Sequence, residues 1–196
     1  MIMADVFVGS LVDPAVKAHA VLNASNPHVA LGSGVSGAIE EACGESFQAR
    51  VRAAWKDEFD EPLDAQDCLV TSAGTRARSA GSCTSRRWTT RSVIQRPAVR
   101  LAVAACTKSA LVEALELSRG VESHFVLALP LLGAGHVGLG PVASAAAMMG
   151  SIREFLEAHP SERMVLRFAV LEASQEMLIP RAAERHGVPF LDAESA

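Results

Sequence analysis

Two glycine-rich segments carry the residue types and spacing that could bind an anionic ligand. Residues 32–37 read Gly-Ser-Gly-Val-Ser-Gly, here called the first loop, and residues 133–140 read Gly-Ala-Gly-His-Val-Gly-Leu-Gly, the second loop. Glycine allows backbone N–H groups to approach an anion closely, and a helix that begins in such a loop adds unpaired N–H groups and a partial positive charge. Two loops of this kind suit a diphosphate, with one loop on each side.

Other phosphate-binding motifs fit these loops poorly. Residues 133–138 formally match G-x-G-x-x-G, but they lie late in the chain, and no acidic residue follows about twenty positions later at the end of a recognisable next strand. Neither loop contains the lysine of a Walker motif, which disfavours ATP hydrolysis. Glycine-rich turns also serve close packing alone, and this structural alternative remains open for each loop.

The elements that must position the loops alternate between strand and helix patterns. Short apolar runs predict strands at residues 6–8, 20–22, 68–70, 124–131 and 164–171. Helical spacing of apolar residues predicts helices at residues 38–43, 47–62, 99–117, 141–160 and 175–186. This alternation favours a largely parallel sheet with helices on both faces, in which ligands bind beyond the carboxyl ends of the strands. Both loops and the polar segment 23–26 fall at such ends.

Length and composition predict a single globular domain over residues 1–196. Hydrophobic residues make up 49% of the chain, yet no apolar run approaches the roughly 20 residues of a membrane helix. The N-terminus lacks the pattern of a secretory signal, so we expect a cytoplasmic protein with no membrane partner. The four cysteines include no C-x-x-C pair, which predicts separate reduced thiols, and the residue pattern predicts no metal and no cofactor.

One segment differs in charge from the rest of the chain. The net charge of -4 argues against a surface made for nucleic acid, but residues 76–100 contain seven arginines and no acid. Because Trp88 is the one aromatic residue among these charges, a solvated loop is favoured over nucleic-acid contact. A nucleic-acid-binding module that uses Arg76 to Arg100 remains an alternative. Within the segment, Val93 and Ile94 form the one apolar pair that could seed a strand.

Three segments together resemble the macro domain, a family that binds ADP-ribose. Residues 21–26, Val-Leu-Asn-Ala-Ser-Asn, resemble the family's strand that ends in N-A-A-N. Residues 31–39 resemble its G-G-G-V-x-G-A-I loop and helix, and residues 129–138 are similar to its P-x-x-G-T-G-x-x-G segment. The three segments occur in the family's order and cover most of residues 20–150, whereas residues 76–100 match the family poorly.

The resemblance implies both a fold and a ligand. The fold is an α/β three-layer α/β/α sandwich around a mixed, mostly parallel sheet of about six strands. The ligand is ADP-ribose, free or linked to a protein, with its diphosphate between the two loops and Asn26 beside the distal ribose. The residues implied in ligand binding are Ser10, Leu11, Asn23, Ser25, Asn26, Ser33, Gly34, Val35, Ser36, Gly133, Ala134, Gly135, His136, Val137 and Leu171.

Hydrolysis of ADP-ribosyl bonds stays open, because the sequence departs from the family pattern at several positions. Ser36 stands where hydrolytic members of one branch have an acid that orients water, so Asn26 would position the water without a general base. Ser10 replaces an aspartate that accepts from adenine, and Val137 and Leu171 replace aromatic residues that cover the distal ribose and the adenine. A degenerate member with an empty cleft, acting as a scaffold, is a further alternative.

Overall fold

The fold is built around one sheet, with helices on both of its faces. A computed structural model describes residues 1–59, 61–64, 67–72, 81–85, 96–135 and 138–191. The strands are β1 (Ile2–Val8), β2 (Ala20–Ala24), β3 (Leu69–Ser72), β4 (Gly81–Ser85), β5 (Phe125–Pro130) and β6 (Met164–Val170). The helices are α1 (Gly34–Cys43), α2 (Phe47–Glu58), α3 (Arg96–Ser118), α4 (Pro141–Ala158) and α5 (Leu178–His186), with short 3₁₀ turns at Pro14–Val16 and Ala173–Gln175.

The six strands follow the order β1-β6-β5-β2-β4-β3. Neighbouring strands are parallel, except that β3 pairs antiparallel with β4 at one edge. Parallel neighbours require crossover connections, and the helices supply them. The predicted three-layer α/β/α sandwich with a mixed, mostly parallel sheet is therefore confirmed.

Each face of the sheet carries its own hydrophobic core. Side chains alternate along a strand, so Leu127 and Leu129 of β5 enter the core that α3, α4 and α5 cover. Ala128, between them, enters the core that α1 and α2 cover. The apolar stripe predicted on α3 is buried along most of its length, but Leu117 is exposed because it lies one residue before the end of the helix.

The helix boundaries follow local chemistry. Pro141 begins α4, as predicted, because a proline at the first helical position lacks an N–H group that would have no helical partner. Gly187 ends α5 in the left-handed conformation, with φ of 64°, which glycine adopts at little cost. The last helix begins at Leu178 rather than at Gln175, because a 3₁₀ turn occupies Ala173–Gln175.

In the middle of the chain, the structure adds one strand that was not predicted and corrects one prediction about the cysteines. The sequence of β4, Gly-Ser-Cys-Thr-Ser, has no apolar alternation, yet it pairs with β2 on one side and β3 on the other. Backbone hydrogen bonds to both neighbours hold β4 in the sheet, whereas the hydropathy of its residues does not predict a strand. Cys68 is disulfide-bonded, whereas separate thiols were predicted; the Cys43 thiol is free. The strand predicted at residues 93–94 lies outside the described residues.

Candidate functional site

Both loops lie at the same edge of the sheet. The first loop follows β2 and the second follows β5, and these two strands are parallel neighbours with Val21 paired to Ala128. The carboxyl ends of adjacent parallel strands meet at one edge, where ligands bind in sheets of this type. The interpretation of the two loops as one diphosphate site required this arrangement.

The first loop exposes backbone donors. It leads into α1, whose helical geometry leaves the N–H groups of Gly34, Val35 and Ser36 without carbonyl partners inside the helix. Ser33 precedes the helix in an extended conformation, and its side chain makes no capping hydrogen bond. A Cβ atom on Gly34 would meet no atom within 4 Å. An anion can therefore approach the start of α1 closely at Gly34.

Two glycines of the first loop have conformational reasons to be glycine. Gly32 and Gly34 have φ values of 138° and 56°, a region that other residues rarely adopt. Gly37 has a packing reason instead, because a Cβ atom there would lie 3.2 Å from the carbonyl carbon of Gly32. The loop thus closes against the first turn of its own helix.

The second loop is closed by its own backbone. The Gly138 N–H donates to the Gly135 carbonyl at 3.0 Å, and the Leu139 N–H donates to the Gly133 carbonyl at 3.2 Å. A Cβ atom on Gly133 would lie 3.0 Å from Cγ2 of Val103, so Gly133 packs against α3. Gly135 is exposed, and a Cβ atom added there would face open space.

Helix α4 anchors the start of the second loop. The Ser144 hydroxyl donates to the carbonyl of Leu132 at 2.6 Å, and the Leu132 N–H donates to Sδ of Met148 at 3.4 Å. All three residues are buried. These two bonds fix the path of the chain into Gly133. His136 and Val137, which were predicted as ligand contacts, lie outside the described residues.

A buried polar cluster lies where β2 meets the first loop. Oδ1 of Asn23 accepts a hydrogen bond from the Ser36 hydroxyl at 2.9 Å. Nδ2 of Asn23 and the hydroxyl of Ser25 are buried, and neither has a hydrogen-bond partner among the residues that the structure describes. An unpaired buried polar atom is costly, so these two groups need a partner that a ligand or a water could supply.

The side chain of Asn26 is engaged within its own segment. Its Oδ1 accepts from the N–H groups of His28 at 3.1 Å and Ala30 at 3.2 Å, and its Nδ2 donates to the Ala30 carbonyl at 2.6 Å. One Nδ2 hydrogen is left for a ligand, because the amide carries two. In this structure, the Asn26 side chain therefore stabilises the conformation of residues 26–30.

Of the residues predicted to bind ligand, three lie after the strands β1 and β6, where the resemblance implies the adenine. Ser10 follows β1, and its Oγ accepts from the Val12 N–H at 3.4 Å. The Leu11 side chain is buried in the core beneath α1 and α2, so its backbone alone can face a ligand. Leu171 follows β6 and is 79% exposed. Since β1 and β6 are neighbours, Ser10 and Leu171 lie at the same edge as the loops.

The described site residues carry no titratable group. Cys43, at the end of α1, is a core residue. Burial raises the pKa of its thiol more than the charge of Arg50 lowers it, so the thiol is a poor nucleophile. No group of three or more His, Cys, Asp or Glu within the described ranges could hold a metal ion. Across the same ranges, no helix combines the length and the apolar character that crossing a bilayer requires.

Sequence comparison decides the family. The profile of the Macro domain matches residues 22–149, a range that includes both loops and the Asn23–Asn26 segment. The chain belongs to the macro domain family. No curated protein matches the sequence.

Solved structures resemble this macro domain along nearly its whole length. A macrodomain of Oceanobacillus iheyensis with ADP is 19% identical, covers 92% of this chain and 89% of its own, and gives a TM-score of 0.74. A Trypanosoma brucei macrodomain in complex with ADP-ribose is 18% identical, covers 92% of this chain and 68% of its own, and gives a TM-score of 0.71. The Oceanobacillus protein with MES bound has the same identity, coverage and TM-score as its ADP form. At these identities the likeness establishes the fold.

Sequence reasoning missed one residue beside the site. Gln48 of α2 makes two hydrogen bonds to the segment that leads into the first loop. A single glutamine on a helix has no spacing signal, and its partners lie 17 and 19 residues earlier in the chain. The tertiary structure alone brings them together.

Proposed function

We propose that this macro domain binds ADP-ribose, free or attached to a protein, with the diphosphate between the first and second loops. The observation that carries the proposal is the placement of both loops at one edge, where the N–H groups of Gly34, Val35 and Ser36 have no carbonyl partner inside α1 and Gly34 faces open space. Backbone donors at a helix N-terminus suit a diphosphate. Macrodomains of similar fold have been solved with ADP and with ADP-ribose.

The buried polar cluster supports a ribose beside the first loop. Nδ2 of Asn23 can donate, and the Ser25 hydroxyl can both donate and accept. Within the described part of the chain, neither group has a hydrogen-bond partner. A ribose presents hydroxyl groups of matching chemistry. A ligand hydroxyl, or a water held by the ligand, would remove the cost of leaving these groups unpaired.

We propose hydrolysis of ADP-ribosyl bonds only as a slow secondary activity. The Ser36 hydroxyl is committed to Asn23, and most of the Asn26 amide is committed to its own segment. Neither side chain can act as a general base, whose help is typically worth about 10²–10⁴-fold in rate. Asn26 would position the water through its remaining hydrogen.

The test is calorimetric titration with ADP-ribose, using a variant that places a carboxylate in the cleft. Gly135→Glu suits this purpose because Gly135 faces open space and has no positive φ. Gly34→Glu is a weaker choice, because φ of 56° at Gly34 would strain any side chain. Gly120→Glu is the matched control, since Gly120 also faces open space but precedes β5 at the opposite edge of the sheet.

We expect micromolar-range binding by the wild type, a loss of about tenfold or more in Gly135→Glu, and no change in Gly120→Glu. The absence of both heat and thermal shift with ADP-ribose would refute the proposal. That result would favour the scaffold with an empty cleft.

The nucleic-acid alternative depends on residues that are mostly outside the described ranges. Of the seven arginines, Arg96 and Arg100 belong to α3, and the other five fall outside. A titration with oligonucleotides at several salt concentrations tests this alternative, which requires affinity that falls steeply with salt and is lost in Arg86→Gln/Arg87→Gln. Cytoplasmic location and a single domain stay predictions.

A further inference from the structure

Gln48 braces the segment that connects β2 to the first loop. Its Oε1 accepts from the Leu31 N–H at 2.6 Å, and its Nε2 donates to the Val29 carbonyl at 3.0 Å. A neighbouring peptide would make the same pair of bonds in a β-bridge. The Gln48 amide therefore makes the bonds that a neighbouring strand would otherwise supply.

Asn26 holds the other edge of the same segment. Its side chain pairs with both the N–H group and the carbonyl of Ala30, and its own carbonyl accepts from the Val29 N–H at 2.9 Å. Together with Gln48, it satisfies every backbone polar group of Val29 and Ala30. Gln48 is the one of the two that comes from a distant element.

Val29 makes this bracing necessary. Its φ of 49° lies in the left-handed region, which a β-branched residue disfavours, and its side chain is fully buried. Such strain persists only where the surroundings hold it in place. Without Gln48, the backbone of Val29 would relax and redirect the chain that enters Gly32 and Gly34.

We propose that Gln48 is a positioning residue, which holds the first loop in its diphosphate-accepting conformation before the ligand arrives. The proposal rests on the ADP-ribose binding proposed above. A loop ordered during folding does not have to be ordered again on binding, so the binding free energy is not reduced by that cost. Phe47, fully buried beside Gln48, keeps the start of α2 in place.

The first experiment compares Gln48→Ala with Ser151→Ala. Ser151 links α4 to the Ala104 carbonyl of α3 on the opposite face of the sheet, so its variant loses stability without touching the loop. ADP-ribose affinity is measured well below the melting temperature of both variants. We expect about a tenfold loss of affinity in Gln48→Ala and none in Ser151→Ala.

The second experiment uses a variant whose hydrogen bonds to Val29 and Leu31 can be restored by lowering the pH. In Gln48→Glu at neutral pH, the introduced carboxylate accepts from Leu31 but repels the Val29 carbonyl. When protonated, the carboxyl can again accept from one group and donate to the other. The affinity of Gln48→Glu relative to wild type, measured well below its melting temperature at each pH, should therefore recover as the pH falls through the carboxyl pKa. A loss of affinity that does not change with pH would contradict the role given to the two Gln48 bonds.

A third measurement needs no ligand. Amide hydrogen exchange of Leu31 reports directly on its bond to Gln48, and we expect faster exchange in Gln48→Ala than in wild type or Ser151→Ala. Unchanged affinity in Gln48→Ala, with wild type binding normally, would overturn the positioning role and leave ADP-ribose binding intact. If the wild type does not bind ADP-ribose, the proposed function is refuted. Unchanged exchange at Leu31 in Gln48→Ala would separately show that Gln48 does not hold this segment.

Discussion

Ser36 donates its hydroxyl hydrogen to Oδ1 of Asn23 across 2.9 Å, and both side chains are buried. The bond joins the first turn of α1 to the carboxyl end of β2. The Ala24 carbonyl lies 3.2 Å from the same hydroxyl and competes for its single hydrogen. Ser36 stands where hydrolytic relatives are expected to have an acid, but its hydroxyl joins α1 to the sheet. This favours ligand binding over hydrolysis.

Ser36→Ala should destabilise the protein by about 1–3 kcal/mol, because Oδ1 of Asn23 would then be buried without a partner. Ser118→Ala is the matched control, since the Ser118 hydroxyl bonds to the Leu115 carbonyl near the end of α3. We expect a change within about 0.5 kcal/mol there. Urea unfolding measures both, and equal losses would show that the Ser36–Asn23 bond has no special weight.

Gly37→Ala should lower ADP-ribose affinity, because the added Cβ lies 3.2 Å from the Gly32 carbonyl carbon and would displace the first loop. Gly150→Ala is the control in another helix, where the added Cβ would meet His186 at an ordinary 3.7 Å. Replacing a helical glycine by alanine stabilises by up to about 1 kcal/mol, and Gly150→Ala should show this gain. If Gly37→Ala shows the same gain and binds normally, the close contact is unimportant.

The sequence predicted the elements whose patterns are local. Apolar runs marked β5 and β6, and the glycine-rich turns marked both loops, because burial on two faces and positive φ leave a signature in residue type. The strand β4 has no such signature, since its place between β2 and β3 depends on partners distant in sequence.

The site was predictable in location but less so in the use of each side chain. The Leu11 side chain is buried in the core, and the Asn26 side chain bonds to its own segment, so the ligand contacts predicted for them are left to the Leu11 backbone and one Asn26 hydrogen. Residue type does not show which way a side chain turns once the loop has folded. For the same reason, Gln48 could not be found without the structure.

Arg167 donates through Nε to Oδ1 of Asp5 at 3.1 Å and through Nη2 to Oδ2 at 2.6 Å. This bidentate ion pair joins β6 to β1, which are neighbours in register at these positions. Arg167 also donates to the Val16 carbonyl at 2.7 Å and so ties down the 3₁₀ turn after Ser10. Removing one partner leaves the other charge poorly solvated. We expect Arg167→Met to cost about 1.5–3 kcal/mol.

A double-mutant cycle tests this pair. Asp5→Leu combined with Arg167→Met should be less destabilising than the sum of the two single variants, because neither charge is then left alone. Urea unfolding of the wild type, both single variants and the double variant gives the coupling. Strictly additive losses would show that the two side chains do not stabilise each other.

Glu113 of α3 gives a stability effect that depends on pH. Burial, with repulsion from Glu58 and Glu116, raises the pKa of its carboxyl above the ordinary value of 4.5. A raised pKa in the folded state means that folding disfavours the charged carboxylate. The charge of Glu113 therefore lowers the stability of the fold fully at a pH above the raised pKa, and not at all at a pH below the ordinary value.

Glu113→Gln should therefore raise the melting temperature at neutral pH, and its advantage over wild type should vanish as the pH falls below 4.5. Glu184→Gln, at an exposed position on α5, is the control. An advantage of Glu113→Gln that persists unchanged in acid would show that the charge of Glu113 is not its cause.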